Sequence, residues 1–288
     1  NHSGSIILLK KISVKFSFRL DYSAWKGILK VSWPFWLSVV FMQIFYQIDT
    51  VMLSFMKGYG ATGLYNAAYK LINTIAKIPW IIVSVLFPVM SELYSTTSKE
   101  PLKKVLEKGM HVMAIVSLPL IIGTMLLADR IILFIYGDGF FDSALVLQIL
   151  VWTTIFVFLS NIIGWFLNAI NMQKAFTYST GLSLAINVLL NALLIPKFSY
   201  IGASIATLAT TMINFLLLYC FNAKSGYHIG VLKLLTRPFA SAAVMGIFIF
   251  FFGSKMHLLL LVPISGIIYV SSLALMGDIK RSDFGGIF

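Results

Sequence analysis

Lys70 and Lys77 stand in an apolar run long enough to cross a bilayer, interleaved with Asn66 and Asn73 at spacings of 4, 3 and 4 residues. That spacing puts all four on one face of a helix. A lysine at the bilayer centre costs roughly 2.5–3.5 kcal/mol on insertion scales, so a pair costs on the order of 5–7 kcal/mol. Two ammonium groups on flexible stems, about 10.5 Å apart along a helix rising 1.5 Å per residue, suit the capture of one compact anion. The competing reading is snorkelling, in which each stem reaches a nearby interface. It fits a lysine within a turn or so of the membrane surface, whereas these two lie roughly nine and sixteen residues into a segment of about 30.

The preceding segment repeats the pattern with Gln43, Gln47, Thr50 and Ser54. The candidate anion-binding set is therefore Lys70, Lys77, Asn66, Asn73, Gln43 and Gln47. Asp49 lies nearby, at a depth close to that of Lys70 across a tight turn. It is either the structural partner of Lys70 in an ion pair or a proton or sodium site coupled to movement, and the residues alone leave both open. Later segments carry neutral polar residues: Asn161 and Asn168, then Ser183, Asn187 and Asn191, then Ser204, Thr207, Thr211 and Asn214. Residues of this kind hydrogen-bond between membrane helices, and Gly202, Ala203 and Ala206 allow close helix approach.

No catalytic constellation is present. The sequence has no Asp-x-Asp pair, no Gly-rich phosphate loop, no His-rich cluster and no Ser/His/Asp arrangement. His2, His111, His228 and His257 are scattered near segment ends, and the single Cys220 excludes a disulfide framework or cysteine-based metal site. The expectation is a protein that is not an enzyme and uses neither metal nor cofactor.

The elements that hold these residues follow from composition. Of 288 residues, 59% are apolar and 11% charged, against about 25% charged in soluble domains. Apolar runs predict membrane segments over about 32–56, 61–92, 109–127, 143–170, 176–195, 201–222, 232–252 and 257–276. The run Arg130–Tyr136 is too short to span and is expected at the interface. Asp21–Lys30 reads as a short amphipathic surface helix, with Tyr22, Trp25 and Leu29 on one face. Pro79, Pro88, Pro119 and Pro263 fall inside helices, as hinges or as tolerated kinks.

The net charge of +12 reports topology rather than a nucleic-acid partner. With alternating crossings, the outer loops hold only Lys57, Arg130, Lys197 and Lys255, and apart from Lys70 and Lys77 the rest of the 22 basic residues fall on the other side. The positive-inside rule then places both ends of the eight-segment set in the cytoplasm. The apolar stretch that opens the chain reads as the tail of an earlier membrane helix.

Several runs resemble a known family. Gly63-Leu64-Tyr65-Asn66-Ala67-Ala68-Tyr69-Lys70-Leu71 and Leu86-Phe87-Pro88-Val89-Met90-Ser91 are similar to one helix of the Wzx-type polysaccharide-biosynthesis flippases. These belong to the multidrug/oligosaccharidyl-lipid/polysaccharide exporter superfamily. Trp33-Pro34, Ile48-Asp49-Thr50-Val51-Met52-Leu53, Asn187 to Asn191, Leu194-Ile195-Pro196 and Ile201 to Thr207 resemble further motifs of the same family. The motifs are individually weak and specific in their combined order, from about residue 25 to 276.

The resemblance implies an all-α polytopic membrane protein with one six-helix lobe and two extra C-terminal helices. On that reading residues 1–9 are the tail of a preceding helix and 10–30 a cytoplasmic basic loop with the amphipathic helix. Residues 31–222 form the six-helix second lobe, and 223–288 hold two peripheral helices and a cytoplasmic tail. It also implies translocation of a polyprenyl-pyrophosphate-linked oligosaccharide across the cytoplasmic membrane by alternating access, with cationic cavity residues on the pyrophosphate. The implied partners are that anionic lipid-linked oligosaccharide, membrane lipids and polysaccharide-assembly proteins, with no nucleic acid. A drug or metabolite antiporter of the same superfamily is the nearest rival. A membrane glycosyltransferase or polymer ligase, and a non-transporting scaffold, are further ones.

Overall fold

Inside hydrocarbon a peptide group finds no water, so the backbone must bond to itself within helices or a closed barrel. The computed structural model, which describes residues 22–96 and 99–278, takes the helical solution, with no strand among the described residues. The expected tail over 1–9, the basic loop up to residue 21 and the tail from residue 279 lie outside the described residues.

The helices are α1 (Tyr22–Ile75), α2 (Ile78–Thr96), α3 (Lys99–Tyr136), α4 (Ser143–Leu150), α5 (Thr153–Ala169), α6 (Gln173–Lys224), α7 (Val231–Phe252) and α8 (Leu258–Leu275). Two of them are folded hairpins. α1 turns back at Gly58 (φ 80°), a left-handed conformation that suits glycine, and α6 turns back at Ser199 (φ 53°). Bonds across each fold prove the reversal: Thr50 Oγ1 donates to Asn66 Oδ1 at 2.9 Å, and Asn187 Nδ2 donates to Thr210 Oγ1 at 3.3 Å. Counted as arms, the chain makes the eight crossings expected from its apolar runs.

Four local expectations change. The surface helix begun at Tyr22 is continuous with the first arm of α1 and runs on through Pro34. The 61–92 segment breaks at Ala76–Lys77, because Pro79 has no N–H for the Ile75 carbonyl and its ring crowds that carbonyl. The chain tightens there into i→i−3 bonds, Lys77 N–H to Thr74 O at 3.3 Å and Trp80 N–H to Lys77 O at 3.2 Å. The 143–170 segment divides into α4 and α5 at Val151–Trp152. Finally, Arg130–Tyr136 forms the last turns of α3, continuous with the segment expected over 109–127. The Arg130 guanidinium finds acceptors there, the Gly253 carbonyl and the Met256 carbonyl (2.8 Å) beyond α7.

The hydrophobic core has two parts. The larger fills the six-crossing lobe of α1 to α6, around Leu53, Tyr65, Met113, Phe158 and Phe166. The smaller joins α7 and α8 to α3 through Leu118, Met245, Ile249, Leu261 and Tyr269. Arg130 fastens one end of this pair. At the other, Asp278 receives His111 Nε2 at 3.0 Å and Arg237 at 3.5 Å.

The two arms of the α6 hairpin approach closely at Gly202, where an added Cβ would stand 2.5 Å from Leu194 O. Backbone cannot move aside as a side-chain tip can. Gly202→Ala is therefore expected to cost about 1–3 kcal/mol and to lower the melting temperature of the purified full-length protein. Gly63→Ala, with nothing within 4 Å of its Cβ, is the control and should melt no lower than the parent. Equal melting of the two variants would refute the close-packing account.

Candidate functional site

The polar stripes of the α1 hairpin meet in one cavity of about 510 Å³. Gln43, Gln47, Asn66, Lys70, Asn73 and Lys77 all line it, joined by Tyr46, Thr50, Tyr69, Thr74, Ala76 and Trp80. Lys77 reaches it from the break between α1 and α2, not from a continuous helix face, so the two ammonium groups need not keep ideal helical spacing. Both lysines are exposed, and neither Nζ has an acceptor among the described residues. No acidic residue appears among the described residues that line the cavity. The walls are braced behind: Tyr69 OH donates to Tyr46 O at 3.1 Å, and the Tyr65 and Tyr69 rings stack at 5.3 Å.

Asp49 does not join this cavity, and the expected pair with Lys70 is absent. The reason is azimuth: Thr50 and Asn66 face the cavity, while Asp49 and Tyr65 face the α6 hairpin. Asp49 is 1% exposed. Its carboxylate accepts from Tyr65 OH at 2.9 Å, from Asn191 Nδ2 at 2.5 Å and from Thr207 Oγ1 at 2.5 Å. Asn191 Nδ2 also bonds Asn187 Oδ1 at 3.0 Å, while Asn191 Oδ1 is buried without a hydrogen-bond partner among the described residues. The carboxylate thus sits where both hairpins converge, with polar groups around it and no basic side chain among the described residues in contact.

The neutral polar residues of α6 act as expected between its arms: Ser183 Oγ donates to Asn214 Oδ1 at 3.4 Å, alongside the Asn187–Thr210 bond. Sequence reasoning missed Tyr46, Tyr69, Thr74 and Trp80 as cavity walls. The three aromatic residues read as ordinary membrane aromatics. It also missed Tyr65 as a partner of Asp49. The signal was available, since residues paired about the turn at Gly58, such as 50 with 66, keep a nearly constant sum, and so do 49 and 65.

Comparison with known proteins adds four findings. The family model described as lipid II flippase MurJ matches residues 5–271. The probable flippase AglR of Haloferax volcanii is 25% identical over 219 residues, covering 75% of this chain and 46% of that protein. The lipopolysaccharide biosynthesis protein WzxC of Escherichia coli is 28% identical over 184 residues, covering 64% of this chain and 35% of that protein. The chain thus spans less than half the length of either relative. Among solved structures, lipid II flippase MurJ in an inward closed conformation superposes with a TM-score of 0.74 at 18% identity, over 94% of this chain and 58% of that one. At that identity the likeness concerns the fold.

Proposed function

Because the chain belongs to the lipid II flippase MurJ family, we propose that it is the part of a flippase that holds the pyrophosphate of a polyprenyl-linked oligosaccharide during passage across the cytoplasmic membrane. The observation that carries this is the charge of the cavity: two unpaired lysines, amide and hydroxyl groups around them, and no carboxylate among the described lining residues. A phosphate diester offers several acceptor oxygens and full negative charge to such groups. A cationic drug would find repulsion there, so the antiporter reading is disfavoured on the same observation.

Lys70 and Lys77 are the charged contacts, and Gln43, Gln47, Asn66 and Asn73 complete the bonds around the head group. The lobe rocks against its counterpart in the whole protein to expose this cavity to each side in turn. The charge bias of the loops orients both ends of the eight-crossing set towards the cytoplasm. Polysaccharide-assembly proteins are the expected neighbours. Asp49, which has no basic partner among the described residues, is the seat of cation coupling: its carboxylate and the side-chain oxygens of Asn187, Asn191 and Thr207 are the groups that would bind a proton or sodium ion.

A diester pyrophosphate carries about two negative charges, so an interior-negative potential of 100 mV favours outward movement by roughly 4–5 kcal/mol. The test is the full-length protein in vesicles loaded with a fluorescent lipid-linked oligosaccharide, followed by quenching from one side. Flux above protein-free vesicles, accelerated by a potential of the right sign, is the expected result. Flux of a cationic dye with none of the glycolipid would overturn the proposal in favour of the antiporter.

A further inference from the structure

A second cavity, of about 210 Å³, lies inside the lobe between the first arm of α1, the start of α2, α5 and both arms of α6. It shares Tyr46 and Trp80 with the cationic cavity, so the two are separated by one aromatic wall. No charged residue is among the described residues that line it. Its walls are mainly apolar and aromatic, with amides and hydroxyls set among them, in contrast to the lysines next door. Trp80 and Trp165 meet edge to face at 5.5 Å, and both line the cavity. Along α5, Asn161, Trp165 and Asn168 fall on one helical face at spacings of four and three.

Two of the residues that line this cavity each carry a polar atom with no use within the fold. Ser160 is 6% exposed, and its Oγ is buried with no hydrogen-bond partner among the described residues. Asn168 Oδ1 is in the same state. Buried polar atoms are nearly always bonded, and an unmet one calls for a ligand or ordered water. An acyl chain would leave both unmet. Size narrows the choice: the space falls below the ~300 Å³ at which drug-sized sites begin. It fits one six-membered ring that has an apolar face for an aromatic wall and hydroxyls for amides.

We propose that this cavity binds an uncharged sugar ring, the residue joined directly to the pyrophosphate that Lys70 and Lys77 hold. The inference rests on the flippase reading and deepens it, by giving the head group two adjoining sites of opposite chemistry, one cationic and one neutral.

Two probes separate the sites: polyprenyl pyrophosphate, and the same lipid bearing a single N-acetylhexosamine. Binding of each to the full-length protein in lipid nanodiscs is measured by tryptophan emission, with native mass spectrometry as a check. The parent protein should bind the sugar-bearing lipid at least tenfold tighter. Ser160→Ala with Asn168→Leu should bring that ratio to about one, leave the bare lipid's affinity unchanged and not lower thermal stability, since the atoms removed have no partner. Lys70→Ala with Lys77→Ala should weaken both lipids alike. Should the double pocket variant fold poorly, Ser160→Ala alone must still reduce the ratio. A parent that binds both lipids equally, or a pocket variant that keeps the tenfold ratio, overturns the sugar site and leaves the flippase reading intact. Equal weakening of both lipids by the pocket variant identifies a structural or lipid-tail pocket and also overturns it. Binding of neither lipid to the parent removes the flippase reading and this proposal together.

Discussion

Replacing Lys70 and Lys77 together by alanine in the full-length protein is expected to reduce flux of the lipid-linked oligosaccharide by a factor of about 100 or more. On the proposed function each ammonium would make charge-assisted hydrogen bonds to the pyrophosphate, worth roughly 1.5–3 kcal/mol. Two such contacts amount to about 3–6 kcal/mol, and each 1.4 kcal/mol is tenfold. Either single alanine should lose roughly ten- to a hundredfold by the same arithmetic. Arginine should retain part of the activity, because it keeps the charge but replaces a mobile point donor by a rigid planar fork. The fold should not suffer. Neither Nζ has an acceptor among the described residues, so alanine leaves nothing unpaired behind it. Membrane yield therefore serves as the internal control. A double alanine variant that reaches the membrane and transports normally would mean that the pyrophosphate is held elsewhere.

These lysines were legible in the sequence because contrast is high: charged and amide side chains at helical spacing stand out against an apolar run, and hydrocarbon would tolerate them poorly. Eight crossings were legible for a similar reason, since basic loops and apolar runs alternate without ambiguity. What escaped was set by contacts between distant segments. Asp49 finds its acceptor role with Asn191 and Thr207, 142 and 158 residues away, and only the docking of two hairpins brings them together. A pairing with Lys70 was the natural reading from proximity in the chain, yet neighbouring positions on a helix point in different directions. The extent of α3 escaped because the run Arg130–Tyr136, too short to span by itself, reads as separate from the apolar segment before it. Two backbone carbonyls beyond α7 supply the partners that let the helix continue past Arg130. The break at Lys77 was half legible: Pro79 announces a disturbance, but its position alone does not say that both lysines would still face one space.

Asp49→Asn is expected to leave a folded protein whose flux no longer varies with the coupling cation. The carboxylate accepts from the second arm of α1 through Tyr65 and from the two arms of α6 through Asn191 and Thr207. Alanine would abandon all three donors. Measured inter-helix hydrogen bonds in membranes average about 0.6 kcal/mol and reach about 1.7, so Asp49→Ala should cost roughly 2–5 kcal/mol and lower the membrane yield. Asparagine keeps the shape and one acceptor oxygen, which limits the loss to about 1–2 kcal/mol by the same scale. It also removes the negative charge, and with it any reason for a cation to enter. A buried carboxylate with no basic partner is costly when ionised, and a proton or sodium ion relieves that cost. Flux should therefore be measured against sodium at fixed pH, and against pH at fixed sodium, in the parent and in the asparagine variant. The parent should respond to one of the two cations and the variant to neither. If both proteins respond alike, Asp49 is a fastener between the hairpins, and the driving cation binds at another place in the whole transporter. Loss of stability without loss of the response would lead to the same conclusion, because a fastener changes how much protein folds and not what its transport depends on.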